Sequence, residues 1–300
     1  MAESKVRVDV EDRALVLSNL DKVLYPASGF TKGEVIDYYV QAAEPLLAQL
    51  RDRPATRKRW PDGVGSEPFF EKNAPKGTPP WVRTVLVEYH GDGVEYVVVD
   101  DLPTLVWVAN LAALELHVPQ WTVGPRGGIQ DSDLLVFDLD PGAPATIVEC
   151  CRVAELLRER LADDRLDAWP KTSGNKGAQL YVPVGRASGA RTSEYAKGLA
   201  AELSQQHPDL VVATMNKQAR RGKVYIDWSQ NNAAKTTIAP YSLRGTERPQ
   251  VSTPLQWDEV ASLDRPGDAV FSPADVLERL DEYGDLLDEM RGSPQRLPDD

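Results

Sequence analysis

In the segment "LLVFDLDPG" at residues 134–142, an apolar run ends in two aspartates one residue apart. The run has the length and composition of a buried strand. Side chains at i and i+2 of a strand project from the same face, roughly 6 to 7 Å apart along it, so Asp138 and Asp140 point the same way. Their carboxylates repel each other unless a cation lies between them. Pro141 and Gly142 then end the strand, and on its own the pair is also compatible with a polar strand end before a turn.

A third acid points to metal-assisted chemistry. Asp227 lies in "KVYIDWSQNN", another strand-like run, where an unpaired carboxylate would be costly to bury. Three carboxylates on neighbouring strands predict an oxygen-ligand site suited to Mg²⁺ or Mn²⁺. Two such ions about 4 Å apart can activate an attacking oxygen and stabilise a leaving one in phosphoryl transfer. The loop "KTSGNKG" at 171–177 can present N–H groups and an ammonium to phosphates, although small-residue turns of this kind are common.

The order of predicted elements indicates an α+β fold in a single domain over residues 1–300. Thr31 and Glu34 have capping-box spacing, and a helical period continues from them to Leu50. Apolar strands around "HGDG" predict a hairpin. Strands and helices mix without a regular βαβ alternation, which is typical of α+β proteins. Further helices are predicted at 104–116, 144–162, 192–206 and from 272, and further strands at 179–184, 210–214, 223–228 and 236–239.

The charge distribution is compatible with a nucleic-acid partner despite a net charge of −12. The acidic C-terminal helical segment, residues 251–300, holds 13 acidic and 4 basic residues, so the first 250 carry only −3. Basic side chains concentrate in "RDRPATRKRW" at 51–60 and again within 214–244. A partner senses the field within about a Debye length, so local basic patches can bind phosphate on an acidic protein.

Cysteines and hydropathy indicate an ordinary cytoplasmic protein without a membrane partner. Cys150 and Cys151 are adjacent in a helical pattern and cannot supply a CxxC zinc site. The N-terminal residues alternate charges with short apolar runs, unlike a signal peptide. No apolar stretch reaches the length needed to span a bilayer. We therefore expect a reducing compartment and no structural metal.

Eight stretches in the same order resemble the polymerase domain of bacterial DNA ligase D, a branch of the archaeo-eukaryotic primase superfamily. They cover nearly the whole chain: "NLDKVLYP", "RPATRKRWP", "FFEKN", "ALELHVPQW", "VFDLDPG", "TSGNKG", "GKVYIDWSQNN" and "KTTIAPYSLRG". The resemblance implies a primase-type catalytic domain with a central mixed or antiparallel sheet flanked by helices. It further implies a template-dependent nucleotidyltransferase that fills gaps and extends DNA ends in non-homologous end joining, commonly prefers ribonucleotides and often needs Mn²⁺.

The resemblance also implies roles for individual residues. Asp138, Asp140 and Asp227 match catalytic ligands of two divalent metal ions, Mn²⁺ or Mg²⁺, and Asp227 would also orient the primer 3′-hydroxyl. Residues that match the pocket for an incoming NTP or dNTP are Lys58, His117, Ser173, Lys176, Gln179, Gln230, Lys235 and Arg244. Residues that match DNA contacts are Asn19, Lys22 and Lys32 for the 5′-phosphate at a gap, Phe69 and Phe70 for stacking on template bases, and Arg59, Lys217, Arg220 and Arg221 elsewhere on the DNA.

One position departs from the family pattern. Members of the superfamily usually follow the SGxKG turn with x-His, whereas this chain reads "SGNKGAQLY" and has Gln179 there. A neutral amide can hydrogen-bond a phosphate oxygen but cannot carry the charge of an imidazolium. The residue therefore leaves open a DNA-end binding module with weak catalysis, and a stand-alone primase-polymerase is a further alternative. Expected partners are gapped or broken DNA with a 5′-phosphate, nucleotides, and the end-joining proteins Ku and a DNA ligase.

Overall fold

The computed structural model describes residues 4–89, 92–216 and 218–298. Its helices are α1 (Lys32–Gln41), α2 (Ala43–Leu50), α3 (Leu102–Asn110), α4 (Ile147–Asp163), α5 (Gly189–Gln206), α6 (Trp257–Ser262), α7 (Pro273–Tyr283) and α8 (Asp288–Arg291), with single 3₁₀ turns at Trp228–Asn231 and Pro266–Ala269.

The strands are β1 (Lys5–Val10), β2 (Arg13–Ser18), β3 (Val23–Tyr25), β4 (Phe30–Thr31), β5 (Pro54–Arg59), β6 (Phe69–Glu71), β7 (Thr84–Tyr89), β8 (Asp92–Val98), β9 (Ala113–Val118), β10 (Trp121–Val123), β11 (Ile129–Pro141), β12 (Trp169–Thr172), β13 (Ala178–Ala187), β14 (Val211–Val212), β15 (Val224–Asp227), β16 (Thr237–Ile238), β17 (Leu243–Arg244) and β18 (Gln250–Val251).

Most of these strands form two six-stranded sheets, which confirms the α+β class. Sheet I has the order β12-β13-β11-β15-β14, with β10 also paired to β11. Sheet II has the order β16-β9-β5-β8-β7, with β6 also paired to β5. Pairing is antiparallel except between β14 and β15. The predicted central sheet is therefore divided between two sheets, each with its own large hydrophobic cluster.

The alternation of side chains along β11 fixes which face of sheet I is chemically active. Leu135, Phe137 and Leu139 are fully buried in the cluster formed with α4 and α5. Because the period of a strand is two, the intervening residues project to the opposite face, where Asp138 and Asp140 lie. Truncating a buried side chain such as Leu135 to Ala would cost about 2 to 5 kcal/mol of stability. The apolar face of the strand thereby anchors the aspartate face.

The first predicted helix is interrupted. Its N-terminus is confirmed, because Thr31 and Glu34 form both hydrogen bonds of a capping box. However, α1 ends at Gln41, and α2 begins at Ala43. Pro45 has no N–H to donate to the preceding turn and its ring crowds that turn, so a continuous helix to Leu50 is not formed.

The prediction of a helix over 104–116 is wrong in its second half. Helix α3 ends at Asn110, Ala112 has a left-handed φ of 59°, and Ala113 begins β9. An unbroken apolar run does not distinguish a buried helix from a buried strand. The decision comes from pairing, since β9 lies between β5 and β16 in sheet II. The correction matters for function because β9 carries His117.

The acidic C-terminal segment packs against the rest of the protein. Helix α7 starts as predicted, with Ser272 as N-cap and Pro273 at the first helical position. Val276 lies in the core beneath sheet II, and Val260 lies in the core beneath sheet I. The single-domain boundary at 1–300 stays a prediction. Among the described residues, none of the helices has both the length and the apolar composition that a membrane span requires.

Candidate active site

A row of four polar residues crosses sheet I at one level. Asp138 on β11 is paired in register with Asp227 on β15 and with Gln179 on β13. Gln179 is in turn paired with Lys171 on β12. Residues in register on adjacent strands project to the same face, so four side chains from four strands meet there. Asp140 lies two residues further along β11 and opposite Tyr225.

The three predicted aspartates form one cluster. Asp138, Asp140 and Asp227 each offer a carboxylate oxygen, and these oxygens lie within 4.8 Å of one another. Burial, and then repulsion from Asp140, raises the pKa of Asp138 to about 7. Burial, and then the charge of Asp227, raises the pKa of Asp140 as well. Gathering three carboxylates is unfavourable without a cation, and an all-oxygen donor set is the kind that Mg²⁺ and Mn²⁺ bind. The residues present therefore fit a divalent metal site.

The carboxylate of Asp227 is held by four donors. Ser229 donates to Oδ1 through its hydroxyl at 2.6 Å and its N–H at 3.1 Å, and the Tyr225 hydroxyl donates to the same oxygen at 3.2 Å. Gln230 donates to Oδ2 through Nε2 at 2.9 Å. A carboxylate only accepts hydrogen bonds, so these four donors fix the orientation of the Asp227 side chain. Gln230, predicted to contact the nucleotide, is placed at the aspartate cluster.

Gln179 is also bonded to the cluster. Its Nε2 donates to Asp138 Oδ1 at 2.9 Å, and its side chain is almost completely buried. Beside it, burial lowers the pKa of the Lys171 ammonium well below its usual range, and Lys171 Nζ donates to Ser252 Oγ at 2.5 Å. Sequence reasoning did not assign Lys171 to the site. Only its register opposite Gln179 reveals it.

The loop after β12 reaches the cluster because a glycine allows close approach. Ser173 Oγ accepts from the Gly177 N–H at 3.2 Å, which closes the loop on itself. A Cβ at Gly177 would lie 2.1 Å from the carbonyl oxygen of Leu139, so a side chain there would push the loop away from β11. The predicted phosphate-binding residues Ser173 and Lys176 are thereby placed beside the aspartates.

A cleft of about 390 Å³ opens between the two sheets at this point. Sheet I contributes Asp138 and Asp140, and sheet II contributes His117. Arg220, predicted only as a general DNA contact, also lines the cleft, with its guanidinium 3.7 Å from the centre of the Tyr225 ring. The other predicted site residues that line it are Ser173, Lys176, Gln179, Gln230 and Arg244.

On the side of sheet II, three predicted nucleotide-binding residues gather around a carboxylate that sequence reasoning missed. Glu115 Oε2 lies 2.8 Å from His117 Nε2, 3.6 Å from Arg244 Nη1 and 4.0 Å from Lys58 Nζ. Burial alone would raise the pKa of Glu115, but the hydrogen bond from His117 and the charge of Arg244 lower it to about 2. The two-residue spacing in "LELH" would have indicated Glu115 if the segment had been recognised as a strand.

The two phenylalanines predicted to stack on template bases lie next to this cluster. Phe69 and Phe70 on β6 are 60% and 59% exposed, which is unusual for such large apolar side chains. The Phe70 ring lies 6.5 Å from the His117 ring, centre to centre. Arg59 holds the same strand, because its guanidinium contacts both Glu71 oxygens at 3.0 Å. Its predicted DNA contact stays a prediction.

The residues predicted for the 5′-phosphate come together at the start of α1. The Lys32 N–H donates to the Lys22 carbonyl at 2.8 Å, and the Lys22 N–H donates to the Asn19 carbonyl at 3.0 Å. Lys22 Nζ lies 2.9 Å from Asp62 and is partly exposed. Lys32 is buried, and its Nζ donates to the Ser18 carbonyl at 2.6 Å. The structure therefore presents Lys22 to solvent and directs Lys32 inward.

Two other predicted contacts among the described residues are not brought to the cleft. Lys235 is exposed, and Arg221 is exposed in the turn that precedes β15; neither lines the cleft. Lys217 lies outside the described residues. Their contacts with nucleotide or DNA stay predictions.

Comparison with known proteins gives a consistent family. Residues 31–287 match the model of the LigD primase-polymerase domain. The chain is 47% identical over 274 residues to the multifunctional non-homologous end joining protein LigD of Mycolicibacterium smegmatis, covering 90% of this chain and 35% of that protein. It is 32% identical over 286 residues to the bifunctional LigD of Bacillus subtilis, covering 95% of this chain and 45% of that protein.

A solved structure extends the similarity to the fold. The polymerase domain of Mycobacterium tuberculosis ligase D, determined in complex with DNA, superposes with a TM-score of 0.89 at 43% identity, covering 95% of this chain and 100% of that one. The chain spans less than half the length of the two curated relatives above. With its aspartate cluster and phosphate-binding loop in one cleft, the chain belongs to the family of LigD primase-polymerase domains, which are DNA-directed nucleotidyltransferases.

Proposed function

We propose that the chain is a template-dependent polymerase that fills gaps and extends DNA ends in non-homologous end joining, with a preference for ribonucleotides. The observation that carries the proposal is the cleft itself. Asp138 and Asp140 line a cleft of about 390 Å³ that is also lined by Lys176, Arg220 and Arg244, and Asp227 completes the aspartate cluster. Carboxylates for metal ions opposite cations for phosphates are what nucleotidyl transfer requires.

Asp138, Asp140 and Asp227 would hold two divalent ions, Mg²⁺ or Mn²⁺. When bound, the ions supply Lewis-acid stabilisation of the attacking and leaving oxygens. The protein contributes orientation: Ser229 and Gln230 fix the Asp227 carboxylate, and the Gln179 amide fixes that of Asp138. In this arrangement Asp227 is the carboxylate that would accept a hydrogen bond from the primer 3′-hydroxyl.

The incoming NTP or dNTP would place its phosphates between the two sheets. Ser173 and Lys176 approach from the loop after β12, whereas His117 and Arg244 approach from the opposite side. Lys58 reaches the same region through its contact with Glu115. Cations on both sides of a narrow cleft hold a flexible triphosphate in one geometry, which lowers the entropic cost of reaction. Lys235 would join this set from the exposed segment before β16.

The DNA would contact two further regions. Phe69 and Phe70 would stack on template bases without sequence preference. Asn19 and Lys22 would meet the downstream 5′-phosphate, with Lys32 supporting the same turn from inside. Arg59, Lys217, Arg220 and Arg221 would add contacts elsewhere on the DNA.

We further propose gapped or broken DNA with a 5′-phosphate as substrate, and Ku and a DNA ligase as partners. The names of the relatives support this, since those longer proteins are described as end-joining proteins. Such a reaction belongs in the bacterial cytoplasm, where the chromosome lies.

Primer extension on gapped duplex DNA tests the proposal. The wild-type protein should add nucleotides to a labelled primer with Mn²⁺ or Mg²⁺ present, whereas Asp227→Asn should add none and still bind DNA. The control is Asp131→Asn, an exposed carboxylate on the same strand as Asp138 but outside the cleft. DNA binding without extension by the wild type would favour a DNA-end binding module, and synthesis without a primer would favour a primase.

A further inference from the structure

Lys58, His117 and Arg244 come from three different strands and converge on one buried carboxylate. Glu115 has only 4% of its side chain exposed, whereas the side chains of Lys58, Arg244 and His117 are 31%, 17% and 16% exposed. The carboxylate is therefore the most deeply placed member. A ligand entering the cleft would meet the cations and the imidazole before it could meet Glu115.

The local sequence explains how this convergence arises. Glu115 and His117 are two residues apart on β9 and share a face. Lys58 is paired with Glu115 across β5 and β9, so the two side chains start as direct neighbours. Glu115 thus binds one residue of its own strand and one of the adjacent strand.

Backbone contacts from the β17 segment complete the arrangement. The Gly245 N–H donates to Glu115 Oε1 at 3.0 Å. Gly245 lies flat against Trp60, since a Cβ there would be 2.2 Å from the ring. This close approach places the preceding Arg244 with its Nη1 3.6 Å from Glu115 Oε2. The "LRG" sequence is therefore required for the contact, because any larger residue after Arg244 would displace the segment.

Three proton donors this close together would repel one another if they carried charge without compensation. The negative charge of Glu115 lies on the buried side of these three groups and offsets their repulsion. It also limits the directions that the Lys58 and Arg244 side chains can take. We propose that Glu115 is a positioning residue that aligns Lys58, His117 and Arg244 on the incoming triphosphate and couples triphosphate binding to protonation of His117. The proposal rests on the nucleotide-binding role proposed above for this cleft.

The proton linkage follows from the hydrogen bond between Glu115 and His117. A carboxylate only accepts, so His117 Nε2 must be the donor and Nδ1 is the nitrogen left to meet a ligand. Nδ1 donates to a phosphate oxygen only in the imidazolium form.

Burial lowers the pKa of His117, and the hydrogen bond and charge of Glu115 raise it. The positive charges of Arg244 and Lys58 lower the pKa of His117 further. The other charged groups that line the cleft with His117 are Asp138, Asp140, Lys176 and Arg220. A bound triphosphate adds negative charge and favours the imidazolium, so binding should take up a proton.

Calorimetric titration with inorganic tripolyphosphate, with Mg²⁺ present, tests the proposal on the folded protein between pH 6 and 8. Wild-type affinity should fall as the pH rises through the pKa of His117. Glu115→Gln should weaken binding roughly tenfold at pH 7, the effect of losing one charge-assisted hydrogen bond, and should move the inflection to lower pH. His117→Ala should remove the inflection, and adding Glu115→Gln to it should not restore one.

Two further variants keep the test decisive. Glu95→Gln is the matched control, since Glu95 lies on β8 of the same sheet and accepts from Thr84 outside the cleft; it should behave as wild type. Glu115→Asp keeps the charge but shortens its reach, so it should weaken binding by roughly threefold with the wild-type inflection retained. Tripolyphosphate binding by Glu115→Gln that equals or exceeds wild type would overturn the proposal. If that variant does not fold, unchanged binding by Glu115→Asp would overturn it instead.

The outcome is separable from that of the proposed function. Tripolyphosphate binding needs neither template nor primer. A wild-type protein that fails to extend primers but shows the shifts above refutes the polymerase proposal and leaves the role of Glu115 intact. A protein that extends primers normally, and whose Glu115→Gln variant keeps the wild-type nucleotide dependence in single-turnover extension, refutes the role of Glu115 alone.

Discussion

Gln179 Nε2 donates a hydrogen bond of 2.9 Å to Asp138 Oδ1 across the pairing of β13 and β11. One Nε2 hydrogen of Gln179 is therefore bonded to Asp138, a candidate metal ligand. The other amide atom, Oε1, is buried and makes no hydrogen bond within the described part of the chain. In this conformation Gln179 orients Asp138, and only its second Nε2 hydrogen could donate to a phosphate oxygen, because Oε1 is an acceptor as the phosphate oxygens are.

We expect Gln179→Leu to weaken Mn²⁺ binding. Residues that hydrogen-bond metal ligands typically account for about 10- to 100-fold in metal affinity or activity, and Asp138 would lose such a donor. Titration of Mn²⁺ followed by electron paramagnetic resonance, without DNA or nucleotide, measures the effect directly. Gln49→Leu is the control, because Gln49 is a buried glutamine on α2 outside the cleft. Equal Mn²⁺ affinity for wild type and Gln179→Leu would contradict the orienting role.

Phe69→Ala and Phe70→Ala should weaken DNA binding without lowering stability. Both rings are more than half exposed, so their removal should change the free energy of unfolding by no more than about 0.5 kcal/mol. Loss of stacking should cost about 1 to 3 kcal/mol of binding free energy per base. Fluorescence anisotropy with gapped DNA and thermal unfolding measure the two quantities. Leu86→Ala, which is equally exposed at 59% on β7, should change neither.

Lys22→Met should reduce the preference for gaps that carry a 5′-phosphate over gaps that carry a 5′-hydroxyl. A terminal phosphate has more charge than a diester, and a nearby ammonium senses the difference. Asp62→Asn should have the opposite effect, since Asp62 lies 2.9 Å from Lys22 Nζ and competes for it. The ratio of the two dissociation constants at low salt is the readout. Identical ratios for all three proteins would leave Lys22 as a surface lysine.

Glu115 should contribute to stability only above the acid range. Its pKa is lowered from 4.5 to about 2 in the folded protein, so the folded state favours the carboxylate. The stabilisation by Glu115 is complete above the pKa that this residue has in the unfolded chain. It is lost as the pH falls from there through the lower pKa of Glu115 in the folded protein. A pKa shift of this size corresponds to about 3 kcal/mol of folding free energy.

Chemical denaturation at a series of pH values tests this expectation. Glu115→Gln should be less stable than wild type at pH 7, and the difference should shrink as the pH falls below that of a free glutamate. Glu95→Gln should run parallel to wild type throughout. A difference between Glu115→Gln and wild type that is independent of pH would show that the lost stability comes from packing and not from charge.

The sequence alone was sufficient for the local features of the site. The two-residue period of β11 determined that Asp138 and Asp140 share a face, because alternation in a strand is a property of the backbone. The capping box of Thr31, and Ser272 followed by a proline, determined where two helices begin. The hydrogen bonds of an N-cap are made within a few residues, so a short sequence is enough to predict them. The order of the motifs determined the family.

Contacts between residues of different elements could be read only from the folded protein. The apolar run before His117 has no period that separates helix from strand, and pairing with β5 and β16 made it β9. That pairing, and the approach of β17, brought Glu115 to two cationic partners distant in sequence, Lys58 and Arg244. Likewise, the register of β13 on β11 directed the Gln179 amide to Asp138. Alternation within one strand fixes which face a residue takes, but the strand and the residue opposite it depend on contacts between segments far apart in sequence.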